Sequence, residues 1–463
     1  MPPAWTCKSD RAPRLGTHAS DPRPYPAMTG ATPVSLVPVS LVPVSLVIVS
    51  RHRLAALQRA VTAVRQLDHP RLELIVVADP AACAALAGLT AKIIAFDAAN
   101  ISAARNLGIA QAAGDIVLFL DDDAVPEPTW ASRLVAPFAD PQVMAATGFV
   151  RGRNGISFQW QASEVDSLAQ DHPLQVPQGP SLHAGSPGRA VKTQGTNCAF
   201  RRDVLAAAGG FDPAFRFYLD EADLNLRLAG QGLTAVVPLA QVHHGFAASA
   251  LRRADRVPLS LHDIAASTAV FLRRHADAAG LAAGWRQLQQ DQRRRLLRLM
   301  VEGRIEPGTL RRLLATLHQG WQEGLHRPIA IPPPIDSPAP PFLRLPDTGP
   351  RPGVVLAGRV WQARSLAKRA ESALAERNIV TLFRFSPTIL RHNHRFHPRG
   401  YWIQTGGLFG IAERTARPPV LGSFRHRLHV EVAKWAKLRP TSAISIVENL
   451  SQASHCDMPK TRD

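Results

Sequence analysis

The first half of the chain alternates between two hydrophobic patterns. Short apolar runs rich in β-branched residues, typical of buried strands, occupy residues 46–50, 72–77, 92–96 and 115–120. Between them, residues 53–67 and 102–113 repeat apolar side chains every three or four positions, as amphipathic helices do. Strand–helix–strand repeats of this kind form right-handed βαβ units around a parallel sheet. The pattern therefore predicts an α/β fold with a mostly parallel, twisted sheet flanked by helices.

Three consecutive aspartates, Asp121, Asp122 and Asp123, follow directly on the last of these strands. Ligands of open α/β sheets bind at the carboxyl ends of the strands. Adjacent carboxylates repel one another unless a cation joins them, and Mg²⁺ and Mn²⁺ take oxygen ligands. Aspartate also favours ordinary solvated turns. By itself, the run indicates either a divalent cation site or a turn.

Positive charge is concentrated in the second half of the chain. Residues 1–250 hold 20 basic and 20 acidic side chains, whereas residues 251–463 hold 34 and 16, which accounts for the whole net charge of +18. A polyanionic partner, such as an anionic membrane surface or a phosphorylated lipid, would therefore bind the second half. An arginine-rich composition without any such partner is the alternative, and no nucleic acid partner is expected.

The four cysteines lie far apart and form no CxxC pair, so neither a zinc site nor a disulfide framework is predicted. A reducing compartment is the simplest setting, and the expected location is the cytoplasm, with peripheral contact at the inner face of the membrane as an option.

The N-terminal region contains a pentapeptide that occurs three times between residues 33 and 47. Residues 1–32, which precede it, are rich in Pro, Arg, Ser and Thr and are expected to be disordered. A proline at every fifth position argues against a membrane-spanning helix. Only the third copy runs on into the first strand. Residues 33–43 are therefore expected to be a duplicated segment outside the fold, with Met28 as the start of the natural protein.

Residues 44–250 resemble family 2 glycosyltransferases with the GT-A fold. The resemblance rests on five segments in the family's order and spacing: VSLVIVSRHR, LELIVVADP, NISAARNLGIAQAAGDIVLFLDDDAVPEPTW, GTNCAFRRDVLAAAGGFDPAF and FYLDEADLNLRLAGQGL. It implies an inverting enzyme that moves a sugar from a nucleoside-diphosphate sugar, with UDP-sugar as the first candidate, to an acceptor hydroxyl. It also implies Mn²⁺ or Mg²⁺ as cofactor, a glycan or lipid-linked acceptor, and a role in polysaccharide or cell-surface glycan synthesis.

The same resemblance assigns residues to the nucleotide. Asp79, at the end of the second strand, looks like the family's base-reading aspartate, although Ala78 stands where the family usually has a first aspartate. An Asp-Pro turn is the alternative for this position. Arg105 is expected to face the nucleotide, and Asp121 and Asp122 to contact the ribose.

The resemblance places a divalent cation on Asp123, with Asp121 as a further ligand. Some enzymes of this fold add a late histidine, and His244 is the better match of the adjacent pair His243-His244. A structural or solvated histidine is the alternative for His244.

The catalytic base is expected in the acidic helix that begins at Asp220. The family usually shows Glu-Asp, whereas this chain has Asp220-Glu221, so Glu221 takes the position of the base and Asp220 is the second candidate. An acidic first turn also suits the helix dipole without any catalysis. Asp223 is expected near the acceptor or sugar, although its spacing from Arg227 also fits an i,i+4 ion pair.

Two further residues are candidates for the acceptor or sugar pocket. Asn197 lies between the Asp run and the acidic helix in the sequence. Trp160 offers an aromatic face on which a sugar ring can stack, but a core tryptophan is equally consistent with the sequence.

The second half divides into four expected segments. Residues 251–326 read as helical, residues 327–353 as a stiff Pro-rich linker, residues 354–440 as a small α/β module of unknown role, and residues 441–463 as a loose tail. The arginine-rich helix of residues 285–300 either lies on an anionic membrane or packs on its own domain. Because the nucleotide segments all precede residue 250, the last module is expected to be dispensable for donor binding.

Two other functions remain to be weighed. A sugar nucleotidyltransferase would need a Gly-rich loop after the first strand, where this chain has Ser50-Arg51-His52-Arg53. A non-catalytic nucleotide-sugar-binding or scaffold protein would have no need of the intact run from Asp121 to Asp123.

Overall fold

The computed structural model describes residues 42–245, 252–253, 255–335, 340–413 and 422–446. The N-terminal extension, the first two copies of the pentapeptide except Val42, and most of the expected tail lie outside these residues.

Residues 44–244 form an α/β unit whose elements follow the predicted alternation and then add antiparallel strands. In chain order they are β1 (Val44–Ser50), α1 (Leu54–Val64), β2 (Leu72–Ala78), α2 (Pro80–Ala85), β3 (Lys92–Ala95), α3 (Ile101–Gln111), β4 (Ile116–Asp121), β5 (Ala124–Pro126), α4 (Trp130–Val135), β6 (Val143–Arg151), β7 (Phe158–Trp160), β8 (Ser163–Asp166), β9 (Asp171–Pro173), β10 (Ser181–Ala184), β11 (Arg189–Val191), β12 (Cys198–Arg201), α5 (Arg202–Ala207), α6 (Asp220–Leu228) and β13 (Leu233–His244).

The main sheet has the strand order β10-β13-β6-β12-β4-β1-β2-β3, with β5 paired to β13 and β7 paired to β6. The strands β4, β1, β2 and β3 are parallel, as are β13 and β6, while β12 runs antiparallel to both of its neighbours. A small second sheet has the order β11-β8-β9. The predicted α/β fold with a mostly parallel central sheet is confirmed, and β4 lies in the middle of it.

Strand β4 is buried on both faces because its apolar side chains alternate between two cores. Leu118 and Leu120 pack in the core that contains α1 and α4, whereas Val117 and Phe119 pack in the core that contains α3. This two-sided burial explains the continuous apolar run in the sequence. It also fixes the register of β4, and with it the position at which the three aspartates leave the sheet.

Three helices follow the α/β unit: α7 (His262–His275), α8 (Ala278–Val301) and α9 (Pro307–His326). The apolar face of α8, formed by Leu288, Leu296 and Leu299, is buried against the other two helices, and Arg293 and Arg294 are exposed. The arginine-rich helix therefore packs on its own domain. Within the described ranges, no helix combines the length and apolarity that crossing a bilayer requires.

The Pro-rich segment is not a free spacer, which corrects the expected linker. Leu345 is fully buried in the core beside β2, and its backbone N–H donates to the carbonyl of Leu72 at 2.7 Å. The N–H of Leu343 donates to the Glu73 carboxylate at 3.0 Å. The segment lies along the α/β unit because these contacts satisfy its backbone and bury its leucine.

The last module is a five-stranded α/β unit with the strand order β16-β17-β15-β14-β18, in which only β16 is antiparallel to its neighbour. Its elements are β14 (Gly353–Arg359), α10 (Ala363–Ala375), β15 (Ile379–Ser386), β16 (Asn393–Phe396), β17 (Trp402–Gly407), α11 (Phe424–Trp435) and β18 (Ala443–Ile446). The module docks directly on the α/β unit. One such contact is the 2.6 Å hydrogen bond from Gln66 Nε2 to the carbonyl of Gly400.

Candidate functional site

The three aspartates occupy the turn between β4 and β5. Strand β4 ends at Asp121, and β5 pairs antiparallel with the last residues of β13, so that Ala124 lies opposite His244. The backbone N–H of Gly245 also donates to the carbonyl of Asp123 at 2.7 Å. This pairing brings the late histidine beside the Asp run, although the two are far apart in the sequence.

Asp121, Asp123 and His244 form a cluster in which one ligand atom from each lies within 4.8 Å of the others. His244 Nε2 lies 3.2 Å from Asp123 Oδ1, and its Nδ1 lies 3.1 Å from Gln159 Oε1. Among the residues that the structure describes, no other group of three His, Cys or acidic side chains meets this criterion. Two carboxylates and an imidazole with a fixed second nitrogen suit a divalent cation such as Mn²⁺.

Asp122 lies inside the protein and not on the ribose side of the loop, which corrects its expected role. Its side chain is fully buried, and its carboxylate accepts hydrogen bonds from Ser50 Oγ at 2.7 Å and from Arg53 Nε at 2.9 Å. Burial raises the pKa of Asp122 to about 7, although Arg53 and Ser50 oppose the shift. Asp122 therefore anchors the turn to the loop that follows β1.

Arg105, from α3, connects the cluster to the acidic helix. Its guanidinium pairs with Asp220, donates to Glu221 Oε1 at 3.1 Å, and lies 3.6 Å from Asp121 Oδ1. It also lies over the ring of Phe211, 5.0 Å from the centroid. The side chain is only 3% exposed, so it faces these carboxylates and not an open nucleotide pocket.

The two carboxylates at the start of α6 differ in protonation. Burial and the neighbouring Glu221 raise the pKa of Asp220 well above its ordinary value, in spite of Arg105. For Glu221, burial acts in the same direction, but Arg105 outweighs it and the pKa is lowered. The Asp220 side chain is 3% exposed and that of Glu221 is 21% exposed. The two shifts are opposite, so Asp220 holds a proton more readily than Glu221, which is ionised at neutral pH and partly exposed.

An unusual backbone turn presents this acidic pair. Tyr218 and Leu219, immediately before α6, have φ angles of +78° and +66°, which side chains other than glycine rarely adopt. Across from the turn, Gly195 leaves room for Glu221, because a Cβ on Gly195 would lie 1.6 Å from Glu221 Oε1. The sequence contains no signal for either feature beyond the glycine itself.

Asp79 acts as the N-cap of α2. Its two carboxylate oxygens accept hydrogen bonds from the backbone N–H of Ala82 at 3.2 Å and of His52 at 2.8 Å. The hydrogen bond from His52 is the main reason that the pKa of Asp79 is lowered. The capping bonds match the Asp-Pro turn that was the alternative for this residue, and they tie the loop after β1 to the end of β2.

Asn197 is a structural residue, which corrects its expected place in the sugar pocket. It is fully buried, and its side-chain oxygen accepts from Trp130 Nε1 at 2.7 Å. Its amide nitrogen donates to the carbonyls of Phe149 at 3.0 Å and Ala240 at 2.9 Å. With both amide groups used inside the core, Asn197 joins β6, α4 and β13.

Asp223 is also displaced from the expected pocket. It is fully buried at the boundary with α7, where it bonds Arg227 Nε at 2.9 Å, Arg274 Nη1 at 2.8 Å and His275 Nε2 at 2.9 Å. Asp223 therefore fastens the acidic helix to the helical unit. Trp160, by contrast, is 38% exposed, and its ring centroid lies 5.6 Å from that of His244, beside the cluster.

A second charged group, not predicted from the sequence, lies behind the cluster. Glu127 is fully buried and contacts His243 and Arg439, the latter from the last module. Burial alone would raise the pKa of Glu127, but Arg439 and His243 outweigh it and lower the pKa to about 2. Burial lowers the pKa of His243 to about 4. The ion pair joins residues 312 positions apart, a relation that sequence spacing cannot reveal.

The clustered histidines of the last module serve its packing. His392 lies 2.8 Å from the carbonyl of Gly407, His394 stacks on Trp435 with centroids 3.8 Å apart, and His397 stacks on Tyr401.

Three known proteins show what the chain is similar to. The O-antigen biosynthesis protein RfbC of Myxococcus xanthus is 32% identical over 178 residues, which are 34% of this chain and 13% of that protein. The glucosyl-dolichyl phosphate glucuronosyltransferase of Haloferax volcanii is 29% identical over 114 residues, which are 24% of this chain and 34% of that protein. A mannosyltransferase of Pyrobaculum calidifontis, solved with GDP-Man and Mn²⁺, is 16% identical, with a TM-score of 0.37 over 64% of this chain and 91% of that one.

The chain therefore spans only a minor part of the length of the two sequence relatives. The structural overlap is too loose to transfer a residue role. Residues 45–208 match the sequence model of the family Glycosyl transferase family 2. This range contains β4, the Asp run and Arg105. Through these residues, the chain is similar to glycosyl transferase family 2.

Proposed function

We propose that the protein is an inverting, metal-dependent glycosyltransferase that moves a sugar from a nucleoside-diphosphate sugar to an acceptor hydroxyl. The observation that carries the proposal is the position of Arg105 between two groups. Its guanidinium lies 3.6 Å from Asp121, in the cation-binding cluster, and 3.1 Å from the ionised Glu221. Because one guanidinium contacts both, cation ligands and a base border the same reaction site.

Asp121, Asp123 and His244 would hold Mn²⁺ or Mg²⁺. A bound divalent cation neutralises the charge that develops on a departing nucleoside diphosphate. The chain prepares this site itself, since Asp123 is 1% exposed and is oriented by His244, whose ring is in turn held by Gln159. Asp121, with its side chain 30% exposed, is the ligand that also reaches toward the donor.

Glu221 takes the proton of the acceptor hydroxyl. It is ionised at neutral pH and partly exposed, whereas Asp220 is buried and its pKa is raised by burial and by Glu221. Asp220 shares a hydrogen bond with Glu221, and Arg105 donates another to it, so the base is held in one orientation. Direct attack by the activated hydroxyl, opposite the departing phosphate, inverts the anomeric carbon.

The donor and acceptor are assigned by class. A UDP-sugar is the first candidate donor, with the base near Asp79 at the carboxyl end of β2 and the diphosphate near Asp121. Trp160 offers an exposed ring beside His244 on which a sugar can stack. The relatives' names, an O-antigen biosynthesis protein and a dolichyl phosphate glucuronosyltransferase, favour a glycan or lipid-linked acceptor in cell-envelope synthesis.

We place the protein in the cytoplasm, where a lipid-linked acceptor would be met at the inner face of the membrane. The excess of basic residues after position 250 suits peripheral contact with an anionic surface there.

Thermal unfolding of the full chain with UDP, GDP and their sugars, each with Mn²⁺ or with a chelator, tests the proposal. A ligand that binds the folded site raises the midpoint. We expect one nucleoside diphosphate to stabilise the protein in Mn²⁺ and not in chelator, and its sugar to release free diphosphate when the acceptor is supplied. Stabilisation by no nucleotide, or equal stabilisation in chelator, would contradict the metal-dependent donor site.

A further inference from the structure

The short strand β5 connects the cation ligands to a buried ion pair on the other side of the sheet. Asp123 precedes the strand and Glu127 follows it, and the strand pairs with the end of β13, where His243 and His244 are adjacent. Successive side chains of a strand point to opposite faces. His244 accordingly lies 3.2 Å from Asp123 on one face, and His243 lies 2.7 Å from Glu127 on the other.

Glu127 is held in turn by Arg439 of the last module. Arg439 Nε donates to Oε2 at 2.6 Å and its Nη2 donates to Oε1 at 2.7 Å, with the two side chains 1% and 0% exposed. The guanidinium lies 3.7 Å from the ring centroid of Trp402 and 4.9 Å from that of Trp435. The two parallel hydrogen bonds of the guanidinium, which the aromatic rings keep in place, fix the orientation of the Glu127 carboxylate as well as balancing its charge. A lysine could balance the charge but could not form this bidentate pair.

We infer that Arg439 is a positioning residue of the cation site: through Glu127 and the β5–β13 pair, the last module sets the placement of Asp123 and His244. The inference rests on the proposed function, since it takes these two residues to be cation ligands. Glu127 links Arg439 to the cation ligands, because its position affects that of the β5–β13 pair. Without Arg439 a fully buried carboxylate loses its cation, and such a group must shift toward water or take up a proton.

Removing the Arg439 side chain leaves the other contacts of the module in place. Backbone and side-chain hydrogen bonds elsewhere continue to dock it, namely those from His394 N to the Asn154 carbonyl at 2.8 Å, from Gln66 Nε2 to the Gly400 carbonyl at 2.6 Å, and from Thr129 Oγ1 to the Leu438 carbonyl at 2.8 Å. The expected effect is therefore a displaced β5–β13 pair in a folded, docked protein.

The test measures Mn²⁺ affinity, by the electron paramagnetic resonance signal of free Mn²⁺, in the full chain without donor or acceptor. We expect Arg439→Gln to weaken Mn²⁺ binding about 10–100-fold, the usual effect of losing an outer partner of a metal ligand. Arg439→Lys keeps the positive charge but loses the two parallel hydrogen bonds of the guanidinium. Its Mn²⁺ affinity should therefore lie between those of Arg439→Gln and the wild type. The matched control is Arg399→Gln, which breaks an exposed ion pair with Glu371 in the same module and should leave the affinity unchanged.

The outcomes separate the two proposals. A wild-type chain that binds no Mn²⁺ overturns the proposed metal-dependent function, and the inference with it. A wild type that binds Mn²⁺ and a folded Arg439→Gln variant of the same affinity overturn the inference alone. If Arg439→Gln does not fold, the Mn²⁺ affinity of Arg439→Lys tests the inference. Wild-type affinity in that variant would show that the bidentate geometry of Arg439 has no influence on the cation site.

Discussion

Arg105 and Glu221, which lie 116 positions apart in the sequence, are joined by a 3.1 Å hydrogen bond from the guanidinium to Oε1. The positive charge of Arg105 lowers the pKa of Glu221 against the effect of burial, whereas Asp220, one residue earlier, has its pKa raised by burial and by Glu221. Two neighbouring carboxyl groups with opposite shifts are suited to different roles, because only the ionised one can accept a proton.

Glu221→Gln should abolish most transfer and leave donor binding nearly intact. The amide keeps the size of the side chain but cannot take a proton, so the rate should fall about 10²–10⁴-fold, the usual contribution of a general base. Single-turnover transfer and nucleoside-diphosphate affinity, measured side by side, check this expectation.

Asp220→Asn is the matched control, because the raised pKa of Asp220 favours its protonated form and an amide can still donate to Glu221. We expect it to retain far more activity than Glu221→Gln. The opposite ranking would move the base to Asp220. Wild-type activity in both variants would make the acidic helix purely structural.

Gly195→Ala should damage catalysis through Glu221. The new Cβ would lie 1.6 Å from Glu221 Oε1 and 2.5 Å from Arg105 Nη2, so both side chains must move. Misplacement of a catalytic group by about 1 Å can cost about 10²-fold in rate. Gly179→Ala is the control, since nothing lies within 4 Å of a Cβ at that position. Equal activity of the two variants would show that Glu221 need not sit where the structure has it.

The sequence alone predicts those elements whose formation depends on the apolar pattern of their own residues. The strands from β1 to β4 were predictable because their burial on both faces requires continuous apolar runs, and the Asp run had to lie at the end of β4. The proximity of His244 to Asp123 depends on the antiparallel pairing of β5 with β13, which has no local signal in the sequence, so only a family resemblance suggests it.

The errors concern polar residues whose partners are distant in sequence. Asn197 and Asp223 have side chains suited to a pocket, but Trp130 and Arg274 bind them inside the protein. The pair of Glu127 with Arg439 likewise spans 312 positions, and it joins the last module to the α/β unit. A chain that ends near residue 326 would leave Glu127 without that cation. Weaker donor binding by such a chain would show that the last module is not dispensable.

Asp123→Asn should remove Mn²⁺-dependent donor binding. The variant keeps the shape of a buried ligand but loses the negative charge that the cation requires. Isothermal titration of the nucleoside diphosphate in Mn²⁺ should show a loss of affinity, and turnover should fall with it. Asp203→Asn, on the exposed first turn of α5, is the matched control. Unchanged affinity in Asp123→Asn would exclude this residue as a cation ligand.

The buried group of Glu127 and His243 should make the protein sensitive to mild acid. Burial lowers the pKa of His243 from 6.5 to about 4, with Glu127 opposing the shift and Arg151 and Arg439 adding to it. His394, whose ring lies 5.6 Å from that of His243, is likewise kept neutral by burial and by Arg439.

The free energy of unfolding should fall in mild acid, because the unfolded chain then binds more protons than the folded chain. Between pH 6.5 and 4 the unfolded chain protonates His243 and the folded chain does not, so the free energy of unfolding falls as the pH falls through this window. The loss is on the order of 3 kcal/mol. Below pH 4, the free energy of unfolding should continue to fall with pH, because the pKa of Glu127 is lowered to about 2 in the folded protein.

Urea unfolding of the wild type and of His243→Gln, from pH 7 to pH 4, isolates this contribution from the other histidines. Glutamine can still donate a hydrogen bond to Glu127 but does not titrate, so the stability of the variant should decline less steeply with falling pH. The two curves should converge toward pH 4, because the wild type has by then lost what neutral His243 contributed. Parallel curves across the range would mean that His243 is not held neutral in the folded protein, and that the Glu127 group carries a further proton at neutral pH.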